Sequence, residues 1–155
     1  MKLIIGLGNP GGRYKNNRHN AGHLFVDFLR SQGDALRARK TDCFMNDSGV
    51  FVKKAINRER LAISDLYVAH DDLDLKLGAY KIQLGVGQKV HNGVTSAEEV
   101  LGAKDFWRIR IGVDNRDPNN RIAGEDYVLH DFEFEELEVL NKVFDEIHKE
   151  LTDKF

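Results

Sequence analysis

Two kinds of hydrophobic pattern alternate along this chain. Short apolar runs predict four strands, at residues 2–6, 66–70, 79–84 and 107–113. Apolar residues that recur every three or four positions predict four helices, at residues 21–31, 49–57, 95–101 and 133–152. Strands that alternate with helices are typical of α/β proteins, so we expect a central, mixed, mostly parallel sheet that is flanked by helices.

Residues that favour helix ends stand near the predicted boundaries. Asn20 is suited to cap the first helix at its N-terminus, and Gly33 is suited to end it. Thr95 or Ser96 should begin the third helix, because each is a good cap and an acidic residue follows near the third helical position. These signals set the helix boundaries that we expect.

The length of 155 residues fits one domain, which we place at residues 1–155. Apolar residues make up 41% of the chain, and no apolar run approaches the ~18 residues of a membrane span. A single cysteine, Cys43, excludes an internal disulfide framework and suits a reducing compartment. We therefore expect a cytoplasmic monomer that lacks a membrane anchor.

Charge is distributed unevenly, although the formal net charge is only −2. Residues 125–155 hold 11 of the 25 acidic residues and 3 of the 23 basic ones, so the rest of the chain is net basic. A basic body is compatible with a phosphate-bearing partner that binds away from the C-terminal helix. Acidic residues that simply solvate the outer face of that helix would give the same pattern.

A glycine-rich segment follows the first predicted strand. Gly6, Gly8 and Gly11 have the spacing of a dinucleotide-binding fingerprint. That fingerprint should lead directly into a helix, and an acidic residue should end a second strand about 20 residues later. Here Pro10 and a polar run follow, and Asp27 lies within a predicted helix. The context therefore disfavours a domain that binds NAD or ATP.

Polar side chains follow two of the predicted strands. Asn9 comes after the first strand, and the polar run at residues 70–72 comes after residues 66–69. Because ligands bind beyond the carboxyl ends of parallel strands, we expect both segments to face one crevice. His19 precedes the first helix, where the helix N-terminus disfavours a protonated imidazole and so favours a neutral base. A structural or surface histidine is the open alternative.

Five motifs occur along the chain in the order GLGNPG, RHNAG, FMNDSG, AHDDLD and VHNG, and FWRIRIG follows at residues 106–112. In sequence and order they closely resemble the bacterial-type peptidyl-tRNA hydrolase family, from residue 1 to about residue 131. The resemblance implies an enzyme of translation and ribosome rescue that hydrolyses the ester between a peptide and the 3′ ribose of tRNA. It implies peptidyl-tRNA as partner and no cofactor.

By this resemblance, His19 activates the attacking water and Asp71 orients and stabilises the imidazole. Such general-base catalysis accelerates reactions about 10²–10⁴-fold. A solvated turn, or a metal site with oxygen ligands, is the alternative for the acidic run around Asp71. His19 and His23 have the spacing of a zinc helix but lack the glutamate between them. We therefore expect no metal.

The resemblance assigns substrate contacts to six residues: Asn9, Tyr14, Met45, Asn46, His91 and Asn92. One of the three asparagines would donate a hydrogen bond to the developing oxyanion. Asparagine in a turn also serves local backbone geometry, and a methionine at such a site can equally belong to the core.

Four basic residues are candidates to bind tRNA phosphates: Lys81, Lys89, Arg108 and Arg110. Strand alternation places Arg108 and Arg110 on one face of the sheet, which suits a phosphate-facing pair. Internal salt bridges are the alternative for that pair.

The chain departs from the family in two places. Only residues 33–43 separate the first helix from FMNDSG, where the family usually has an extra strand pair, and the C-terminal extension is short. Before VHNG, a loop rich in glycine and histidine is replaced at four positions: Val86, Gln88, Lys89 and Val90. Gln83 stands where a basic residue is usual, which predicts weaker tRNA discrimination. An inactive RNA-binding relative is therefore the alternative hypothesis.

Overall fold

The computed structural model describes residues 2–33 and 36–155. Residue 1 of the opening strand motif and residues 34–35 of the shortened segment lie outside the described residues. The described strands are β1 (Leu3–Gly6), β2 (Arg37–Lys40), β3 (Leu66–Lys76), β4 (Tyr80–Leu84) and β5 (Trp107–Asp114). The described α-helices are α1 (Ala21–Ser31), α2 (Ser48–Glu59), α3 (Asn92–Leu101), α4 (Gly124–Tyr127) and α5 (Phe134–Lys154).

The strands form one mixed sheet in the order β2-β1-β3-β5-β4. The first four strands in this order run parallel, and β4 pairs antiparallel with β5. The predicted fold class is therefore confirmed. The patterns did not predict β2, because its sequence Arg-Ala-Arg-Lys has no apolar run and it pairs with only one neighbour, at the sheet edge.

Alternate side chains of the central strands β1 and β3 enter two separate hydrophobic cores. Ile4 of β1 belongs to the core that α1 and α5 cover, whereas Leu3 and Ile5 belong to the core that α2 and α3 cover. Because successive side chains of a strand point to opposite faces, a sheet buried on both faces needs apolar residues at every position. Helices therefore flank the sheet on both sides, as the sequence predicts. No helix in the described part of the chain is long and apolar enough to cross a membrane.

Two glycines of the apparent nucleotide fingerprint serve helix packing. A Cβ atom on Gly6 would collide with the backbone of Gly22 in α1, and a Cβ on Gly8 would lie 2.6 Å from the ring of His23. Gly11 has a φ of 99°, which favours glycine because other residues rarely adopt it. The spacing thus arises from the close approach of α1 to the strand and from one turn.

Two predicted boundaries and one predicted cap contact were wrong. β3 continues past residue 70 to Lys76, because β5 pairs alongside it through Asp72 and, after a shift in register, again at Lys76. Helix α3 begins at Asn92 rather than near residue 95, since the His91 imidazole caps it by accepting a hydrogen bond from the Val94 amide. Asn20 precedes α1 as predicted, yet its side chain makes no capping bond.

Candidate active site

A cleft of about 730 Å³ opens beside the carboxyl end of β1 and the second half of β3. It is lined by seven of the eight residues that the sequence proposed for catalysis or substrate contact: Asn9, His19, Met45, Asn46, Asp71, His91 and Asn92. These residues come from five separate segments of the chain, so the fold brings together side chains that the sequence could connect only by resemblance.

His19 and Asp71 form a hydrogen-bonded pair. The Nδ1 atom of His19 lies 2.8 Å from Oδ2 of Asp71. His19 belongs to the 3₁₀ turn Arg18–Asn20, which is fixed because the His19 amide donates to the carbonyl of Val128 at 2.8 Å. Asp71 lies within β3 and is 1% exposed. The rigid strand therefore sets the position of the carboxylate, and the turn brings the imidazole to it.

A second imidazole holds the other oxygen of the same carboxylate. His91 Nε2 lies 2.8 Å from Asp71 Oδ1, and His91 Nδ1 accepts the amide of Val94 at 3.2 Å. Since Nδ1 of His91 accepts, its proton is on Nε2 and is donated to Asp71. An ionised carboxylate only accepts, so His19 donates through Nδ1 and its Nε2 keeps a free lone pair. That nitrogen has the state that a general base requires.

The electrostatics of the pair favour an ionised carboxylate. Burial by itself raises the pKa of Asp71, but the charges and hydrogen bonds of His19 and His91 outweigh burial and hold that pKa below its ordinary value. For His19 burial acts in the opposite direction and lowers the pKa. The attraction of Asp71 and its hydrogen bond raise that pKa, and the net change is an increase. Asp71 thus makes His19 a stronger base than an ordinary histidine.

Asn9 is held by both its backbone and its side chain. Its amide donates to Asn20 Oδ1 at 2.8 Å, and its carbonyl accepts from Asn20 Nδ2 at 3.0 Å. Its own Oδ1 accepts the amide of Met45 at 2.8 Å. The side-chain oxygen is therefore occupied on the protein side, and the side-chain NH₂ is the group that Asn9 can offer to a ligand in the cleft.

Sequence reasoning missed the positioning role of Asn20. It is 2% exposed, and both polar atoms of its side chain form hydrogen bonds with the backbone of Asn9 instead of capping α1. An Asn beside a helix start is the usual signal of a cap. The two roles differ only in whether the loop after β1 brings the backbone of Asn9 next to Asn20, and no local sequence pattern predicts that contact.

The other predicted substrate residues form the rim and one wall of the cleft. Asn46 and Asn92 are exposed at the start of α2 and of α3, and Met45 is buried beside Gly93. Tyr14 does not line the cleft directly; its ring meets the ring of Phe44 edge-on at 6.2 Å, and Phe44 lines the cleft. Tyr14 therefore supports the rim.

The two arginines proposed for RNA phosphates need correction. They share one sheet face, as predicted, but Arg108 is 1% exposed and donates to the carbonyls of Lys104 and Phe106. Arg110 is 7% exposed and donates to Asp72 and to Gln83, both at 2.7 Å. Protein atoms accept hydrogen bonds from Nη1 of Arg108 and from Nε and Nη1 of Arg110, and Gly87 of the 85–90 segment packs against Arg108. The internal salt bridge is therefore the role that the structure shows.

The other two basic candidates differ from the arginines in exposure. Lys81 of β4 and Lys89 of the 85–90 segment are both exposed. Gln83 stands where the family resemblance led us to expect a basic residue, and it accepts a hydrogen bond from Arg110. Lys81 and Lys89 are thus the members of the predicted phosphate set that are open to a ligand.

The histidines also bear on metal binding. Among the described residues, ligand atoms of His19, Asp71 and His91 lie within 4.8 Å of one another, which is close enough to hold a metal ion. Both contacts to the carboxylate have the 2.8 Å length and donor pattern of hydrogen bonds. His23 faces Thr41 at 2.9 Å and not His19, so the zinc spacing in the sequence does not produce a shared site.

A family model described as peptidyl-tRNA hydrolase matches residues 3–154. The chain belongs to the peptidyl-tRNA hydrolase family. Peptidyl-tRNA hydrolases of Pseudothermotoga lettingae and Desulfitobacterium hafniense are 38% and 35% identical to it, over 94% and 98% of this chain and 85% and 91% of their own lengths.

Solved structures agree with the sequence comparison. The crystal structure of the peptidyl-tRNA hydrolase from Acinetobacter baumannii matches with a TM-score of 0.87 and 26% identity, over 98% of this chain and 87% of that one. This peptidyl-tRNA hydrolase family member is thus shorter than these relatives. His19, Asp71 and the three asparagines line one cleft.

Proposed function

We propose that this chain hydrolyses the ester bond that joins a peptide to the 3′ end of tRNA. The single observation that carries this proposal is the buried carboxylate of Asp71 between two imidazoles, which fixes the proton of His19 on Nδ1 and leaves Nε2 free within the cleft. A free imidazole nitrogen beside open space is suited to activate water. Family membership supplies the substrate, because the chain's relatives carry the name peptidyl-tRNA hydrolase.

The reaction then proceeds by general-base catalysis. Nε2 of His19 takes a proton from water while the water oxygen attacks the ester carbonyl, and Asp71 stabilises the imidazolium that forms. As the tetrahedral intermediate collapses, the bond from carbonyl carbon to ribose oxygen breaks and His19 returns the proton to that 3′ oxygen. The products are a free peptide carboxylic acid and tRNA, and no cofactor enters this balance.

We propose that Asn9 stabilises the negative charge on the carbonyl oxygen. Met45 occupies its side-chain oxygen and Asn20 holds its backbone, so the NH₂ group is oriented before substrate arrives. Removing one such donor costs about 2.7–4 kcal/mol of transition-state stabilisation in other hydrolases. Asn46 and Asn92, exposed at the rim, bind the ribose and peptide backbone next to the ester.

The same proposal includes the setting in which the enzyme works. Residues 1–155 act as one hydrolase domain, as a monomer in the cytoplasm, in translation and ribosome rescue. Lys81 and Lys89 contact tRNA phosphates, which is supported by the exposure of both side chains. Phosphate contacts of this kind weaken as salt rises.

The proposal is tested with an N-acetyl-aminoacyl-tRNA in water enriched in ¹⁸O. We expect turnover to release free tRNA and N-acetyl-amino acid with one ¹⁸O in its carboxyl group, because water attacks the carbonyl carbon. Label in the tRNA instead would exclude this mechanism. Binding of the same RNA without release of either product would identify an inactive RNA-binding relative.

A further inference from the structure

The 85–90 loop closes one side of the cleft and is fastened to the neighbouring strand. The Gln88 side chain accepts the amide of Leu73 at 3.0 Å and donates to the carbonyl of Val90 at 2.6 Å. The Lys89 amide also donates to Asp74 Oδ2 at 3.1 Å. One amide side chain thus ties the backbone of β3 to the backbone of the loop, at the strand that carries the catalytic carboxylate.

This fastening places an apolar side chain on the cleft. Val90 is 76% exposed and lines the cleft together with Leu73 and Leu129, which is itself 49% exposed. A single exposed apolar residue is ordinary on a protein surface, but the exposed Val90 and Leu129 together with the half-buried Leu73 form a wall suited to an apolar ligand group. The same cleft is lined by the histidines and asparagines described above.

The position of this wall relative to the ester identifies the ligand group. Leu73 is two residues after Asp71 in β3, so the two side chains point to the same face about 7 Å apart along the strand. In the proposed substrate, the side chain of the esterified amino acid begins one bond from the reacting carbonyl. When that carbonyl lies at His19, this side chain reaches the wall.

We propose that Val90 is a specificity determinant that favours an apolar esterified amino acid, and that Gln88 positions it. The inference rests on the proposed hydrolysis and specifies its substrate preference. Val90 contacts the substrate side chain directly. Gln88 acts through the loop, by holding Val90 beside Leu73.

The test uses leucine and aspartate, each N-acetylated and attached to the same tRNA body, so that only the amino acid differs. Wild-type kcat/KM is expected to be about tenfold higher for the leucyl ester, in the range that partial burial of a few methyl groups provides. Val90→Ser should reduce this ratio about threefold or more, through KM of the leucyl ester. Val86→Ser is the matched control, because Val86 is an exposed valine of the same loop that does not line the cleft.

Two further variants separate positioning from general loss of structure. Gln88→Ala loses both hydrogen bonds and should lower the leucine preference as Val90→Ser does. Gln88→Glu can still accept from Leu73 but sets a carboxylate oxygen against the Val90 carbonyl, so we expect kcat/KM of the leucyl ester to fall as in Gln88→Ala. Equal effects of Val90→Ser on both substrates, or the same change in the Val86 control, would overturn the inference. A wild type that cleaves neither ester would overturn the proposed function on which it rests.

Discussion

At the scale of single residues, Asp71 controls the protons of the cleft because both of its oxygens accept from imidazoles at 2.8 Å. The sequence places His19 and Asp71 52 positions apart. Family resemblance was enough to pair them. The second imidazole, His91, was expected to contact substrate; the structure shows that it donates to the carboxylate of Asp71 and caps α3.

Replacing Asp71 with Asn should lower kcat by about 10²–10⁴, because the imidazolium loses its stabilising charge and the imidazole its fixed tautomer. The pH profile provides a second readout. Asp71 raises the pKa of His19 above its ordinary value of 6.5, so wild-type kcat/KM should rise with pH through a midpoint above 6.5. In the variant the midpoint should move to lower pH. An unchanged midpoint would show that another group is titrating.

At the scale of elements, β5 carries a buried ion pair where the sequence suggested a phosphate site. Arg110 donates to the buried carboxylate of Asp72, and its guanidinium also donates a second hydrogen bond to Gln83 of β4. Alternation along the strand predicted the shared face of the two arginines. It could not predict that both side chains are buried, because the residues that contact them, Gly87, Asp72 and Gln83, belong to other segments of the chain.

Arg110→Ala should therefore destabilise the fold by about 3–5 kcal/mol, since it leaves Asp72 buried without its partner. Urea unfolding measures this loss. Lys81→Ala, at an exposed position paired with Arg110 across the strands, is the control and should leave stability nearly unchanged while weakening tRNA binding. If Arg110→Ala lost tRNA affinity and kept full stability, the phosphate hypothesis would be restored.

At the scale of the whole molecule, the alternating patterns were sufficient for the fold class, and motif order was sufficient for the family. Periodicity reports burial on a sheet or helix face, and both cores contribute to it. It does not report polar edge strands such as β2, or buried polar contacts such as those of Asn20 with Asn9. Both features depend on which distant segments meet.

The free energy of unfolding should depend on pH between 6.5, the ordinary pKa of histidine, and about 4, the pKa of His23 in the fold. Burial, followed by repulsion from Lys40, lowers the pKa of His23 from 6.5 to about 4. Folding thus favours neutral His23. The contribution of this histidine to the free energy of unfolding is complete above pH 6.5 and is lost as the pH falls towards 4. At pH 5 the loss is about 2 kcal/mol.

His23→Gln should remove this part of the pH dependence. A Gln amide can still donate to Thr41, so the comparison uses the difference between unfolding free energies at pH 8 and pH 5 and not their absolute values. That difference should be about 2 kcal/mol smaller than in the wild type. The exposed His130→Gln is the control. Equal pH dependence in all three proteins would argue against a depressed pKa of His23.

The most direct test of the central claim is single-turnover hydrolysis of N-acetyl-aminoacyl-tRNA by the wild type and by His19→Ala, with RNA binding measured on the same samples. Loss of the base should reduce the rate about 10²–10⁴-fold. Binding should be nearly unchanged, because the proposed phosphate contacts, Lys81 and Lys89, lie outside the residues that line the cleft. A His19→Ala variant that cleaves the ester at the wild-type rate would contradict the account.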